Sequence, residues 1–173
     1  MTALVIYESM FGNTRAVAEA IADGLALHTV TELVEVSHAP AQLADDVDLV
    51  VLGAPTHAHG LSRPQTRASA AKEVAGKLVS PGAGIREWLA ALPRPAHRVA
   101  VVAFDTRFAK ARWMTGSAAM TIVKLARRAG FAVDRPAESF YLDHTLGPLQ
   151  DGELVRARRF GELLADRHST ARR

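Results

Sequence analysis

The sequence predicts a doubly wound α/β domain built on a parallel sheet, and three observations carry that prediction. Short β-branched or continuous apolar runs recur along the chain, at residues 3–7, 47–52 and 99–104 among others. Helix-period stretches alternate with them, about five strand–helix units in all. At 173 residues and 49% hydrophobic composition, the chain is long enough to bury one sizeable core. No repeat, low-complexity tract or linker divides it, so residues 1–168 read as a single domain with a basic tail at 169–173.

Taken in order, residues 3–7 read as a buried strand. Residues 14–27 read as a helix with Val17, Ile21 and Leu25 on one face. Thr29 to Val36 alternates as a second strand, and Ala39 to Asp46 is a short helix or loop. Val47-Asp48-Leu49-Val50-Val51-Leu52 is continuous enough for a central, two-sided strand. A turn-rich loop, 53–60, follows it. Residues 61–81 are polar without a clean period, which predicts a long surface loop with one helical turn at most, of the kind that often serves as a lid. Gly84 to Leu92 is a helix whose Ile85, Trp88, Leu89 and Leu92 share a face, so Trp88 is expected in the core. Val99 to Phe104 is a strand running into the loop Asp105-Thr106-Arg107-Phe108. Met114 to Gly130 is a helix, with Trp113 expected as core at its start or else as a cap on the pocket. Phe131–Val133 and Glu138–Leu142 form a last strand broken by Pro136. Gly152 to Asp166 is the final helix.

Composition excludes several chemistries. The absence of cysteine removes disulfides, thiolate catalysis, iron–sulfur clusters and thiolate zinc sites. The N-terminal apolar run, Leu4 to Tyr7, is too short for a signal peptide, and no stretch is long enough to span a membrane. These features predict a soluble, cytoplasmic protein. The net charge is +3 with a pI near 9.7. The excess sits at the end, where six arginines between Arg156 and Arg173 face only Glu162 and Asp166. A solvated helix face with a frayed tail explains it. Without interleaved aromatic residues, a nucleic-acid partner is disfavoured.

The stretch Val5-Ile6-Tyr7-Glu8-Ser9-Met10-Phe11-Gly12-Asn13-Thr14 is a strand that turns into a helix. Such a turn aims free N–H groups and the positive end of a helix dipole at one point, which suits an anion. Ser9, Asn13 and Thr14 add donors, and Gly12 permits close approach. The alternative is an ordinary capped turn that binds nothing. The Gly-Lys-Ser/Thr ending of a Walker A loop is missing, and so is Gly-x-Gly-x-x-Gly. Ligands of doubly wound sheets bind beyond the carboxyl ends of the strands, where loops 8–14, 53–60 and 104–113 should meet.

The run from Val5 to Ile21 resembles the flavodoxin signature: an aliphatic pair, an aromatic, Ser, a small residue, Thr, then Ala and an aliphatic at helical spacing. Leu52-Gly53-Ala54-Pro55-Thr56-His57 resembles the second flavin loop of flavodoxin-like proteins. The resemblance covers nearly the whole chain. It implies a three-layer sandwich with five parallel strands in the order 2-1-3-4-5, and bound FMN. By match, Ser9, Met10, Phe11, Gly12, Asn13 and Thr14 hold the phosphate. Pro55, Thr56, His57, Ala58, His59 and Gly60, with Phe104, Asp105, Thr106, Arg107 and Phe108, flank the isoalloxazine ring.

The sequence departs from the family's usual pattern in three ways. No Trp or Tyr stands in the two ring loops. The chain is basic where flavodoxins are usually acidic. The segment 61–81 is long, as in larger relatives with oxidoreductase activity. Cationic groups near the ring stabilise a reduced flavin, so Arg107, His57 and His59 predict a potential less negative than that of a low-potential carrier. Arg107 could instead pair with Asp105 or Asp143. His57 and His59 form a His-x-His pair, but without an evident third ligand no metal is expected. The implied function is electron transfer or flavin-dependent oxidoreduction, of quinone reductase or porphyrinogen oxidase type. Its partner is then a redox protein or a small quinone-like substrate, with the redox chemistry in the flavin and no catalytic side chain required. A flavin-sequestering or non-redox binding module is the alternative.

Overall fold

The computed structural model describes residues 2–57, 60–133 and 135–170. Five strands form one parallel sheet in the order β2-β1-β3-β4-β5. They are β1 (Thr2–Tyr7), β2 (Val30–Glu35), β3 (Val47–Pro55), β4 (Ala100–Phe108) and β5 (Glu138–Leu142). The helices are α1 (Asn13–Ala26), α2 (Pro64–Glu73), α3 (Ile85–Ala91), α4 (Arg112–Thr115), α5 (Ala118–Arg128) and α6 (Glu153–Thr170). The expected strand order is the one observed.

Burial explains why the apolar runs take these places. β1, β3 and β4 are covered on both faces, so nearly every residue in them is buried and the pattern is continuous. β2 is an edge strand and has no fully buried residue, only exposed and half-buried ones. Leu4, Ile6, Val50, Leu52, Val101 and Ala103 face α3 and α5, where they meet Ile85, Trp88, Leu89, Ile122 and Ala126. Ala3, Val5, Leu49, Val51, Val102 and Phe104 face α1 and α6, where they meet Val17, Ile21, Leu25, Phe160 and Leu164. α1 and α6 cross backbone to backbone at glycines. A methyl group on Gly24 would stand 2.1 Å from the Arg158 carbonyl, and one on Gly161 2.1 Å from that of Ile21.

Several sequence expectations need correction. Residues 64–73 are a helix, not a surface loop. The helix expected over 114–130 is two: α4 ends at Thr115, Gly116 turns at φ 71°, and Ser117 caps α5 by accepting from Met120 N. Trp113 is 84% exposed on α4 and is no part of the core. β3 and β4 run past their expected ends to Pro55 and Phe108, because Gly53–Pro55 pairs with Phe104–Thr106. The last strand is Glu138–Leu142 alone, and Ala132 makes only an isolated bridge to Ala100. α6 continues to Thr170, and residues 171–173 lie outside the described residues.

Candidate functional site

β1, β3, β4 and β5 all end at one edge of the sheet, and the loops that leave them enclose a cleft of about 410 Å³. That volume is in the range of small-molecule sites. Ser9, Met10, Phe11, Asn13 and Thr14 line it from the first loop, Pro55, Thr56 and His57 from the second, and Thr106, Arg107 and Phe108 from the third. Other walls come from residues that the sequence reading did not select. Thr66, Ser69, Ala70 and Glu73 of α2 line one side, and Thr115, Leu142 and Thr145 another.

The first loop is built to expose backbone donors. Gly12 holds φ 95° just before α1, a conformation that costs other residues about 1–2 kcal/mol, and nothing stands within 4 Å of where its side chain would begin. Ser9 Oγ accepts from Gly12 N at 3.1 Å and tightens the turn. Within the described residues, no carbonyl or side chain takes the N–H groups of Met10, Phe11, Asn13 or Thr14. Four such groups beside a 14-residue helix N-terminus suit a phosphate. The hydroxyl and amide side chains have other partners. Thr14 and Thr106 share a 2.7 Å hydrogen bond, and Asn13 Nδ2 donates to Leu146 O at 3.0 Å.

A strap braces the loop from behind. Ser80 N donates to Ser9 O at 2.8 Å, Val79 N to Met10 O at 3.1 Å, and Ser9 N to Ser80 Oγ at 3.0 Å. Below it Glu8 is fully buried. Its carboxylate accepts from Ser62 Oγ and from Ile85 N, the latter at 3.0 Å. Burial pushes the Glu8 carboxyl up from the usual range, against the hydrogen bonds from Ser62 and Ile85 and the charge of Arg67.

In the second loop, His57 pairs with Gly60 through two 2.8 Å backbone bonds. Gly60 is not among the residues lining the cleft. The His57 ring is half-buried, and its Nε2 has no hydrogen-bond partner among the described residues. Burial, and then the charge of Arg67, lower its affinity for a proton, so the ring is held toward neutrality. Ala58 and His59 lie outside the described residues.

The third loop divides the predicted ring residues. Phe104 is wholly buried in the core, edge-on to Phe140 at 5.9 Å, and does not reach the cleft. Asp105 is also wholly buried and serves α5. Its Oδ2 accepts from Ser117 Oγ at 2.5 Å, Ala119 N at 3.0 Å and Thr56 Oγ1 at 3.2 Å. Arg107 pairs with Asp105 at 3.9 Å, the first of its two expected acidic partners. Its guanidinium also donates to Ser139 Oγ at 3.1 Å, Lys110 O at 2.7 Å and Thr115 Oγ1 at 2.9 Å, and lies over Tyr141. It therefore pins the loop that leads into α4. Thr106 and Phe108 face the cleft.

The set fits FMN: an open nest of N–H groups at one end, and a cleft walled by Phe11, Pro55, His57, Phe108 and Leu142 beside it. Among the described residues no group of three or more His, Asp or Glu is placed to hold a metal ion. The flavodoxin family model matches residues 5–104. No curated protein matches the chain. A flavodoxin from the domain Archaea superposes with a TM-score of 0.64 at 21% identity, over 96% of this chain and 98% of that one. The Streptococcus pneumoniae TIGR4 flavodoxin gives 0.65 at 17% identity, over 96% and 99%. The rubredoxin oxygen:oxidoreductase of Desulfovibrio gigas gives 0.61 at 14% identity, over 98% of this chain but 36% of that one. Likeness at these identities shows a shared fold.

Proposed function

This chain belongs to the flavodoxin family, whose cofactor is FMN, and we propose that it works as an FMN-dependent electron-transfer protein. The observation that carries the reading is the open N–H nest of residues 10–14 at the mouth of an apolar-walled cleft. The loop Ser9–Thr14 would hold the phosphate through backbone N–H groups, without a lysine. Phe11, His57 and Phe108, with Pro55 and Leu142, would flank the ring, in place of the Trp and Tyr pair common in the family. When bound, FMN supplies the redox chemistry. The residues around it orient it, exclude water from part of its surface and set its electrostatic surroundings.

A small quinone-like acceptor or a partner protein would approach the flavin at this same cleft. Redox exchange with a protein is the first proposal, since the family model that matches is flavodoxin and the chain aligns over nearly the full length of two flavodoxins. Among the described residues no helix is long and apolar enough to cross a membrane. A cytoplasmic location belongs to the proposal and rests on the cysteine-free sequence. Titration of the protein with FMN, followed by quenching of flavin fluorescence, tests the reading. Saturable binding with unit stoichiometry supports it, and failure to bind removes both the carrier and the oxidoreductase. Turnover of quinones with NADH or NADPH, in the absence of any protein partner, would replace the carrier by the oxidoreductase.

A further inference from the structure

We propose that α2 is a wall of the FMN cleft held in place by a buried polar latch, and that Arg67 at its centre is a positioning residue for the flavin. The proposal rests on the reading that the cleft takes FMN.

α2 has no apolar stripe. Of its ten residues only Arg67 and Ala70 are buried, so hydrophobic packing cannot be what docks it. Yet it presents Thr66, Ser69, Ala70 and Glu73 to the cleft. Its attachment is polar. The Arg67 side chain is 9% exposed. It donates to Ser62 Oγ at 2.8 Å and reaches both Glu87 oxygens, at 3.2 and 3.4 Å, on α3. Ser62 passes the connection to Glu8, which ends on the first turn of α3 through Ile85 N. Glu87 closes the circuit by accepting from Gly84 N at 2.8 Å.

The latch meets the phosphate loop at both of its ends. Glu8 immediately precedes Ser9, and the chain leaving α2 returns as the strap that bonds Ser9 and Met10. The Glu87 side chain is 34% exposed, so the ion pair itself contributes little, but its removal is costly because it leaves the buried Arg67 charge without its carboxylate. The arrangement therefore specifies one docked position for a helix that would otherwise have none. Opening of α2 removes one wall of the cleft and loosens the strap behind the phosphate loop. A ligand that binds only the docked form is then weakened in proportion to the docked fraction.

The test uses Arg67→Met and, should that variant fold poorly, Glu87→Ala, which removes the acceptor of the same latch from α3. Hydrogen–deuterium exchange on the FMN-free protein reads α2 directly. Residues 64–74 are expected to exchange about tenfold faster or more in either variant, while β1 and β3 keep their protection. FMN titration of the same variants is expected to show a dissociation constant raised about tenfold, if the docked fraction falls to about a tenth. Arg67→Lys, which keeps the charge but loses the planar fork of donors, should recover part of both effects. Unchanged exchange in α2 in a folded variant overturns the latch. Faster exchange with unchanged FMN affinity overturns the assignment of α2 as a wall of the flavin site. If the unaltered protein binds no FMN, the flavin reading and the positioning role fall together, and the exchange arm still decides whether the latch exists.

Discussion

Replacing Asp105 by alanine separates a structural from a flavin-contacting role for this residue. The carboxylate is wholly buried and accepts three hydrogen bonds, from Ser117 Oγ, Ala119 N and Thr56 Oγ1. Bonds to a charged acceptor contribute about 1.5–3 kcal/mol each, and Ala119 N would lose its only charged partner. The Arg107 guanidinium, 3.9 Å away, would be left buried without its counter-charge, a change that typically costs about 3–5 kcal/mol. Arg107 keeps Ser139 Oγ, Lys110 O and Thr115 Oγ1 as acceptors, so the lower end applies. Both costs describe the loss of the same carboxylate and are not summed; about 4 kcal/mol, within the range for breaking a buried pair, corresponds to a fall in melting temperature of roughly 8–16 °C for a domain of this size. Thermal unfolding of the FMN-free protein, followed by circular dichroism, measures it. A fall below about 3 °C refutes the account. So does a variant that melts normally but changes the absorption spectrum of bound FMN, which would put Asp105 at the ring.

Three further outcomes are expected. Asn13→Glu places a carboxylate in the first turn of α1, which stabilises the empty helix by a few tenths of a kcal/mol to about 1 kcal/mol and repels a phosphate. Its melting temperature should stay within a few degrees while FMN affinity falls at least about tenfold, and an unchanged affinity would move the phosphate elsewhere. Glu8 carries a raised folded pKa, so in the window above the ordinary carboxylate range the folded state binds the extra proton. Its contribution to stability is full below the unfolded value and declines as pH rises through the folded one. Urea midpoints for the unaltered protein and Glu8→Gln should therefore differ in pH slope over that window, with parallel curves counting against a raised Glu8 pKa. Arg107 lines the cleft and offsets the buried charge of Asp105, so the flavin midpoint potential should be less negative than with Asp105 uncovered. Arg107→Gln, which uncovers Asp105, should move the potential downward in a spectroelectrochemical titration, and an unmoved potential would remove Arg107 from the electrostatics of the ring.

How much of this was legible in the sequence depends on what held each element. β1, β3 and β4 are buried on both faces and show it as continuous apolar runs, so the sheet was readable. The first loop was readable as a strand–turn–helix because its residue types are dictated by backbone geometry: Gly12 at φ 95°, then a helix start. α2 was not readable by periodicity, because one arginine and one alanine are its only buried residues. A different signal was available. Pro64 stands at the first helical position, Thr66 bonds back to Arg63 N, and the run Gln65 to Glu73 is rich in helix formers. With α2 missing, a whole wall of the cleft was missing from the expected site.

The third loop shows the same lesson through strand parity. Ending β4 at Phe104 made Asp105-Thr106-Arg107-Phe108 look like a loop in which every residue could face a ring. The strand in fact continues to Phe108, so its side chains keep alternating. Val101 and Ala103 face α3 and α5, and Asp105 follows them under the start of α5. Val102 and Phe104 face α1 and α6, and Thr106 follows them to Thr14 of α1. The same count sends Glu8, two residues past Ile6, toward α3, where it bonds Ile85 N. Polar residues at the end of a buried strand therefore inherit the face of the apolar ones before them. What they do there is set by the helix terminus that they meet: Asp105 and Glu8 each satisfy orphan N–H groups at a helix start, on the side of the sheet away from the helix that opens the anion nest. The carboxylates are kept behind the site, and the N–H groups in front of it remain free for a phosphate.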